Sequence, residues 1–254
     1  MQLSPLPALS DNYIWRLADD DGRWLVVDPG EPGPVLAAAE GAAAPLAILL
    51  THHHADHVGG VPDLLRRWPG VPVFGPADDR IGTIDHPVGD GQRIGIGPWT
   101  FDVLAVPGHT VSHIAFLGHG LLFCGDTLFS LGCGRLFEGT PRDMLGALDR
   151  LAALPAQTRV CCGHEYTLAN AAFARVVDPD NPALRRRHEE AIAMRDQGRP
   201  TLPTTLADER ACNPFLRIDA PAVRAAVAAR RPLAEGDRVE AFAELRRWKD
   251  GFRA

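Results

Sequence analysis

Residues 51–57 read Thr51-His52-His53-His54-Ala55-Asp56-His57, which places four potential metal ligands, His52, His54, Asp56 and His57, in one short run. The apolar segment Leu46-Ala47-Ile48-Leu49-Leu50 just before it predicts a buried strand. Val58-Gly59-Gly60 and the periodic Val61, Leu64, Leu65 and Trp68 after it predict the start of a helix. The cluster is therefore expected on a strand-to-helix loop, where side chains can converge without straining regular structure. The bland alternative is a solvated His-rich loop.

Three downstream segments repeat the arrangement. His109 lies in AVPGHTVSH, Asp126 in LLFCGDTLF and His164 in VCCGHEYT, each after an apolar, strand-like run. Glycine directly precedes each of them (Gly108, Gly125, Gly163), and glycine at a strand exit lets the chain turn sharply toward a shared point. Four strands ending in His or Asp would rim one edge of a sheet with ligands.

Five imidazoles and two carboxylates exceed the three or four protein ligands of one catalytic zinc, so two metals are expected. We assign His52, His54 and His109 to one ion and Asp56, His57 and His164 to the other. Asp126 would bridge them, since a carboxylate has two oxygens. Two ions a few ångströms apart hold a water and lower its pKa, which suits hydrolysis. A structural zinc would use cysteine-rich, closed coordination, and no cysteine here has C-x2-C spacing. These ligands accommodate zinc, iron or manganese; zinc is the first expectation.

The same residues resemble the metallo-β-lactamase superfamily, whose signature is HxHxDH followed by a distant His, Asp and His. Within it the chain is similar to the glyoxalase II (hydroxyacylglutathione hydrolase) family over nearly its whole length. The matching segments are SDNYIW at 10–15, THHHADHVGG at 51–60, PGHT at 107–110, FCGDTLF at 123–129, GCGRLFEGT at 132–140 and GHEYT at 163–167, with NPFLR at 213–217 and LRRWKD at 245–250. The metal ligands specify only the superfamily. GCGRLFEG, GHEYT and the terminal R-x-x-K-D point to the thioester hydrolase branch. The resemblance implies hydrolysis of S-(2-hydroxyacyl)glutathione thioesters, foremost S-D-lactoylglutathione to D-lactate and glutathione, with Asp56 orienting the attacking hydroxide.

It also implies a substrate side built from Arg135, Phe137, Tyr166, Arg246 and Lys249. Glutathione carries two carboxylates, and the terminal basic pair of the family meets its glycine carboxylate. Arg246 and Lys249 stand three apart on a predicted helix and so share a face. Lys249 is the single lysine in the chain. Phe137 stands where the family also uses tyrosine and cannot donate a hydroxyl hydrogen bond. Tyr13 is expected to be a packed aromatic, and Cys133 a turn residue rather than a nucleophile.

At 254 residues, 46% hydrophobic and 23% charged, the chain has the composition of a soluble globular protein of one large domain or one plus a small one. No apolar run approaches a membrane span and no secretory signal is visible, so a cytoplasmic location is expected. Five cysteines, two of them adjacent, do not form a disulfide framework. Residues 1–165 hold 10 basic and 19 acidic side chains, and residues 166–254 hold 16 and 13. The net charge of −6 argues against nucleic-acid binding. The triplet Arg185-Arg186-Arg187 is expected to be a solvated helix face. A monomer is the default expectation.

Up to Thr167 strand-like and helix-like runs alternate, and NYIWRLA and RWLVVD flank DDDG as a hairpin. Thr140-Pro141 caps a helix through Leu151. Helices are expected over 183–197, 220–230 and 236–249. The fold expected is α/β, an αββα sandwich of two mixed β-sheets flanked by helices, with a small helical domain behind it. The division is 1–165 (catalytic) and 166–254 (glutathione-binding). Rival functions are another superfamily enzyme (β-lactamase, lactonase, other thioesterase, persulfide dioxygenase or nuclease) or a metal-free binder on the same fold. The dioxygenase lacks a helical tail, the nuclease wants a basic surface, and an intact ligand set argues against the binder.

Overall fold

The computed structural model describes residues 1–232, 234 and 236–253. Their contacts group into two compact units. The first comprises Met1–Ala105, Ser112–Gly125 and Cys161–His164; the second comprises Val106–Val111, Asp126–Val160 and Glu165–Ala254.

The first unit is built on two sets of strands. In one sheet the order is Gln2–Ala8, Asn12–Ala18, Trp24–Val27, Ile48–Leu49, Val73–Pro76 and His86–Val88. The first three strands run antiparallel, and Asn12–Ala18 with Trp24–Val27 is the expected hairpin. The last three join in parallel register, so the sheet is mixed. Gln2–Ala8 is a strand not among those expected from the sequence, and its Pro5 and Pro7 cannot donate to a ladder. It occurs at the sheet edge, where donors on the outer side are not needed. The other set runs as an antiparallel meander through Arg93–Ile96, Trp99–Ala105, Ile114–Gly118 and Leu121–Gly125. Trp24, Ile48, Leu50, Leu64 and Val73, all fully buried, belong to the core between the first sheet and its helix Val61–Arg67.

The second unit is mainly helical: Pro141–Ala152, Thr167–Val177, Pro182–Asp196, Leu206–Cys212, Pro221–Arg230 and Arg238–Gly251. Thr140 caps the first of these, as its sequence predicts, and the structure adds a reciprocal capping box with Asp143. Helices Thr167–Val177 and Leu206–Cys212 and the short strand Thr204–Thr205, which pairs with Arg159 and Val160, were not anticipated. A small hairpin, Leu128–Phe129 with Gly132–Cys133, is fastened from the helical side. Asn213 of the NPFLR segment donates to the carbonyls of Phe129 (3.1 Å) and Gly132 (3.0 Å). Glu209, fully buried, accepts from the Leu131 amide at 2.8 Å. Burial pushes that carboxyl above its usual range, while the hydrogen bonds it accepts oppose the shift.

The arginine triplet divides. Arg185 and Arg186 are exposed as expected, but Arg187 is buried and donates to the Thr201 carbonyl (2.6 Å) and to Glu190 (2.9 Å). Its place on the inner side of a helix decides this, and charge patterning alone does not register helix phase.

Candidate metal centre

The local fold shapes the ligand-bearing segments. His52, in a bend, and His54, in extended conformation, follow the Ile48–Leu49 strand, and Asp56 and His57 sit on a single helical turn, Ala55–Val58. That turn corrects the expectation of an irregular loop. Asp56, His57 and His164, all in the first unit, each bring one ligand atom to within 4.8 Å of the others. His57 Nε2 lies 3.5 Å and His164 Nε2 3.4 Å from Asp56 Oδ2. Tetrahedral ligands at ~2.0–2.1 Å from a zinc ion stand roughly 3.4 Å apart, so these separations suit one ion. In the second unit His109 Nε2 stands 3.5 Å from Asp126 Oδ2, the same spacing.

The outer nitrogens show which ring atom is meant for metal. His57 Nδ1 faces Asp28 Oδ2 at 3.1 Å, His164 Nδ1 faces Asp11 Oδ1 at 2.8 Å, and His109 Nδ1 faces the Arg135 carbonyl at 2.9 Å. An acceptor on Nδ1 fixes the proton there and turns a basic Nε2 inward, as metal-binding histidines require. Asp28 also accepts from the Thr51 amide (2.8 Å) and hydroxyl (2.7 Å). The Thr51 oxygen in turn lies 3.1 Å from His52 Nδ1. Asn12 holds Asp56, donating to its Oδ2 at 3.0 Å. This donor set, imidazole and carboxylate with a fixed outer shell, fits divalent transition metals.

Sequence reasoning missed Asp11, Asn12, Asp28 and His113. Asp28 carried a readable signal, since it ends the apolar strand Trp24–Val27 just as the ligands end theirs. His113 is fully buried and stacks on His52, with ring centroids 4.5 Å apart and 15° between planes. Of the three glycines before ligands, Gly108 (φ 146°) and Gly125 (φ 46°) occupy conformations that favour glycine. Gly163 is not among the positive-φ residues, so its role is not conformational in that sense.

The substrate-side candidates all lie in the second unit. Phe137 is 63% exposed, and its ring meets His109 edge-on at 5.2 Å. Tyr166 packs against Phe129 at 5.2 Å, and Arg135 is exposed, with Nε 3.8 Å from Asp250. Arg246 and Lys249 do share the helix Arg238–Gly251, but they differ in setting. Arg246 is buried and donates to the Cys133 carbonyl (2.7 Å) and to Asp250 (2.9 Å). Lys249 is half-buried, bonded to the Ala169 carbonyl at 3.1 Å. Burial first, then the positive charges of Arg246 and Arg135, push its pKa down to about 8. Cys133 is buried and its thiol is pushed up to about 11, chiefly by burial, which fits an inert residue; it sits in the short strand Gly132–Cys133 and not in the turn expected. Tyr13 is buried against Trp15, as expected.

Residues 11–164 match the model of the metallo-β-lactamase superfamily, and residues 165–252 match that of the hydroxyacylglutathione hydrolase C-terminus. A hydroxyacylglutathione hydrolase of Xanthomonas axonopodis pv. citri is 61% identical over 100% of both chains. One from Xylella fastidiosa is 58% identical over 99% of this chain and 98% of its own. The chain belongs to the hydroxyacylglutathione hydrolase family. Among solved structures, the fold matches the BLEG-1 B3 metallo-β-lactamase with a TM-score of 0.64 at 25% identity, covering 85% of this chain and 99% of that one. TTHA1623 in a di-iron-bound form matches with a TM-score of 0.54 at 33% identity, covering 65% and 92%. The family's fold, two mixed sheets flanked by helices with a helical C-terminal region, is thus present in this chain.

Proposed function

We propose that the protein hydrolyses S-(2-hydroxyacyl)glutathione thioesters, foremost S-D-lactoylglutathione, giving D-lactate and glutathione, the second step of methylglyoxal detoxification. The observation that carries this is full-length identity of about three residues in five with hydroxyacylglutathione hydrolases, C-terminal region included. Two divalent metals are the cofactor, zinc first among them. His52, His54 and His109 would hold one, Asp56, His57 and His164 the other, and Asp126 would serve both. The di-iron form of TTHA1623 supports the count. Bound there, the metals would supply a hydroxide near neutral pH and a Lewis acid for the thioester carbonyl.

The chain's own residues do the rest. Asp56, held by Asn12, is placed to accept a hydrogen bond from the attacking group and aim it. Asp28, Asp11 and the Arg135 carbonyl keep the imidazoles in one tautomer throughout turnover. The thiolate leaves without a general acid, because a thiol pKa of about 8.5 makes it a competent leaving group. Residues 1–165 would carry this chemistry and lend Arg135 and Phe137 to the tripeptide, and 166–254 would supply the other glutathione contacts, Tyr166, Arg246 and Lys249. No helix among the described residues is long and apolar enough to cross a membrane, and a cytoplasmic monomer is the form proposed. The deciding experiment assays lactoylglutathione, a β-lactam, an acyl lactone and a persulfide side by side, with metal analysis on the same sample. A preferred substrate other than the glutathione thioester would overturn the proposal.

Lys249 offers a finer test than Arg246, whose guanidinium braces the Cys133 carbonyl and whose loss would disturb the fold. A carboxylate gripped far from the scissile bond is bound equally in ground and transition states, so its loss raises KM and spares kcat. Lys249→Met is expected to raise KM for lactoylglutathione about tenfold, the worth of one partly solvated charge-assisted contact. A simple thioester lacking the tripeptide should respond equally to both proteins. The pH sign follows from the depressed pKa: the ammonium is lost as pH rises through about 8, so KM of the parent should climb above that pH. A variant whose KM climbs just as steeply would remove Lys249 from the substrate side.

A further inference from the structure

We infer that Asp78 is a positioning residue for the metal centre, the buried tie that fixes the ligand-bearing segment 51–57 against the segment 112–114. This rests on the metal-centre reading above and adds a residue that the ligand pattern does not contain. Asp78 lies two residues past the end of the strand Val73–Pro76, and its side chain is only 5% exposed. Its Oδ2 accepts from the Ser112 hydroxyl at 2.5 Å and from Arg80 Nη2 at 2.6 Å. Oδ1 accepts from Arg80 Nε at 2.7 Å and from the Arg80 amide at 3.1 Å. The same Oδ2 stands 3.6 Å from His53 Nδ1.

Two of these partners, His53 and Ser112, lead to a ligand. His53 sits between His52 and His54, and its ring packs against that of His54 at 4.8 Å. The backbone torsions of His53 set the directions of both neighbours, so a restrained ring restrains two ligands. Ser112 precedes His113, whose ring stacks on His52, and the Ile114 amide donates to the Thr51 carbonyl at 3.0 Å. One carboxylate therefore holds His52 from two directions: through the chain at His53, and through the face of the His113 ring. Arg80, paired to it bidentately, keeps the carboxylate charged although nearly buried. A group that only stabilised the loop at 78–81 would need Arg80 and its own turn. The bonds to Ser112 and the approach to His53 have no such local use.

Outer partners of metal ligands change affinity by about 10–100-fold when removed, while leaving the ligands in place. The test measures zinc dissociation constants by chelator competition on Asp78→Ala, Asp78→Asn and Ser112→Ala, together with urea midpoints of the metal-free proteins. Asp78→Ala is expected to weaken zinc about 10–100-fold and Ser112→Ala several-fold, with the double variant no weaker than Asp78→Ala, since both break one tie. Asp78→Asn keeps shape and one acceptor, so it should fall between the parent and Asp78→Ala; it also serves if the alanine variant fails to fold. A lowered urea midpoint with zinc affinity within twofold of the parent in all variants would make Asp78 a purely structural residue and overturn the inference. Failure of the parent itself to bind zinc would instead strike the metal-centre reading.

Discussion

Asp126→Ala is expected to lower metal content from two ions per chain to one or fewer and to reduce kcat/KM at least a thousandfold. Asp126 is buried, and its Oδ2 lies 3.5 Å from His109 Nε2, so the carboxylate is committed to the ligand cluster and not to solvent. Removing it takes away the only proposed group whose two oxygens serve both ions. Each factor of ten in rate corresponds to about 1.4 kcal/mol of transition-state stabilisation, and a thousandfold loss is roughly 4 kcal/mol. That is the scale found when one electrostatic stabiliser is deleted from a preorganised site. Elemental analysis and steady-state kinetics on the same preparation give the answer. Full turnover by protein holding one ion or none would end the two-metal mechanism.

Gly30→Ala is expected to be nearly as damaging, though Gly30 ligates nothing. A Cβ there would overlap the Asp56 carbonyl oxygen and come within 2.6 Å of its carbonyl carbon. Both are backbone atoms, so no rotamer change can relieve the clash, and the helical turn carrying Asp56 and His57 must shift. Overpacking a well-filled site costs about 1–3 kcal/mol, and more where backbone is struck. A displaced turn also opens the Asp56–His57–His164 triangle. The expected result is a Tm lower by several degrees and at least a tenfold loss of metal affinity. Gly33→Ala is the control, since a Cβ at Gly33 meets nothing within 4 Å. Equal behaviour of the two variants would show that close approach at residue 30 does not hold the ligand turn.

The proposed centre can be read in the sequence because its chemistry is written in rare residues at fixed spacing. Histidines at 52, 54 and 57, each aligned to an apolar strand or turn, stand out, and the strand-Gly-His pattern points to His109 and His164 as their proposed companions. The outer shell was hidden for the opposite reason. Asp11 and Asp78 are two among many aspartates, and only the fold shows that one faces an imidazole and the other a hydroxyl; Asp28 alone had a signal, its place at the end of an apolar strand. Helix phase hid Arg187: an arginine written in a basic run looks solvated until its side of the helix is known, and the burial of Arg246, expected at the substrate, was hidden likewise. The hairpin at 12–27 and the capped helix at 141–152 were readable from turn and cap residues. Gln2–Ala8 was not, because two prolines speak against a strand in general and only its position at an edge permits one.

Those prolines have a consequence for how the molecule behaves in a crowd. The mixed sheet ends at Gln2–Ala8 on one side and at His86–Val88 on the other, and each border carries proline: Pro5 and Pro7 on the first, Pro87 on the second. Residues two apart on a strand point their amide positions the same way, so Pro5 and Pro7 blank the same outward row. A second chain arriving at that border finds carbonyls without the N–H groups that would stitch it on, and the growth of a continuous intermolecular sheet is interrupted at its first step. Concentrated preparations should therefore resist fibril formation through the Gln2–Ala8 border, and the resistance there is written into the covalent chain instead of depending on charge or salt.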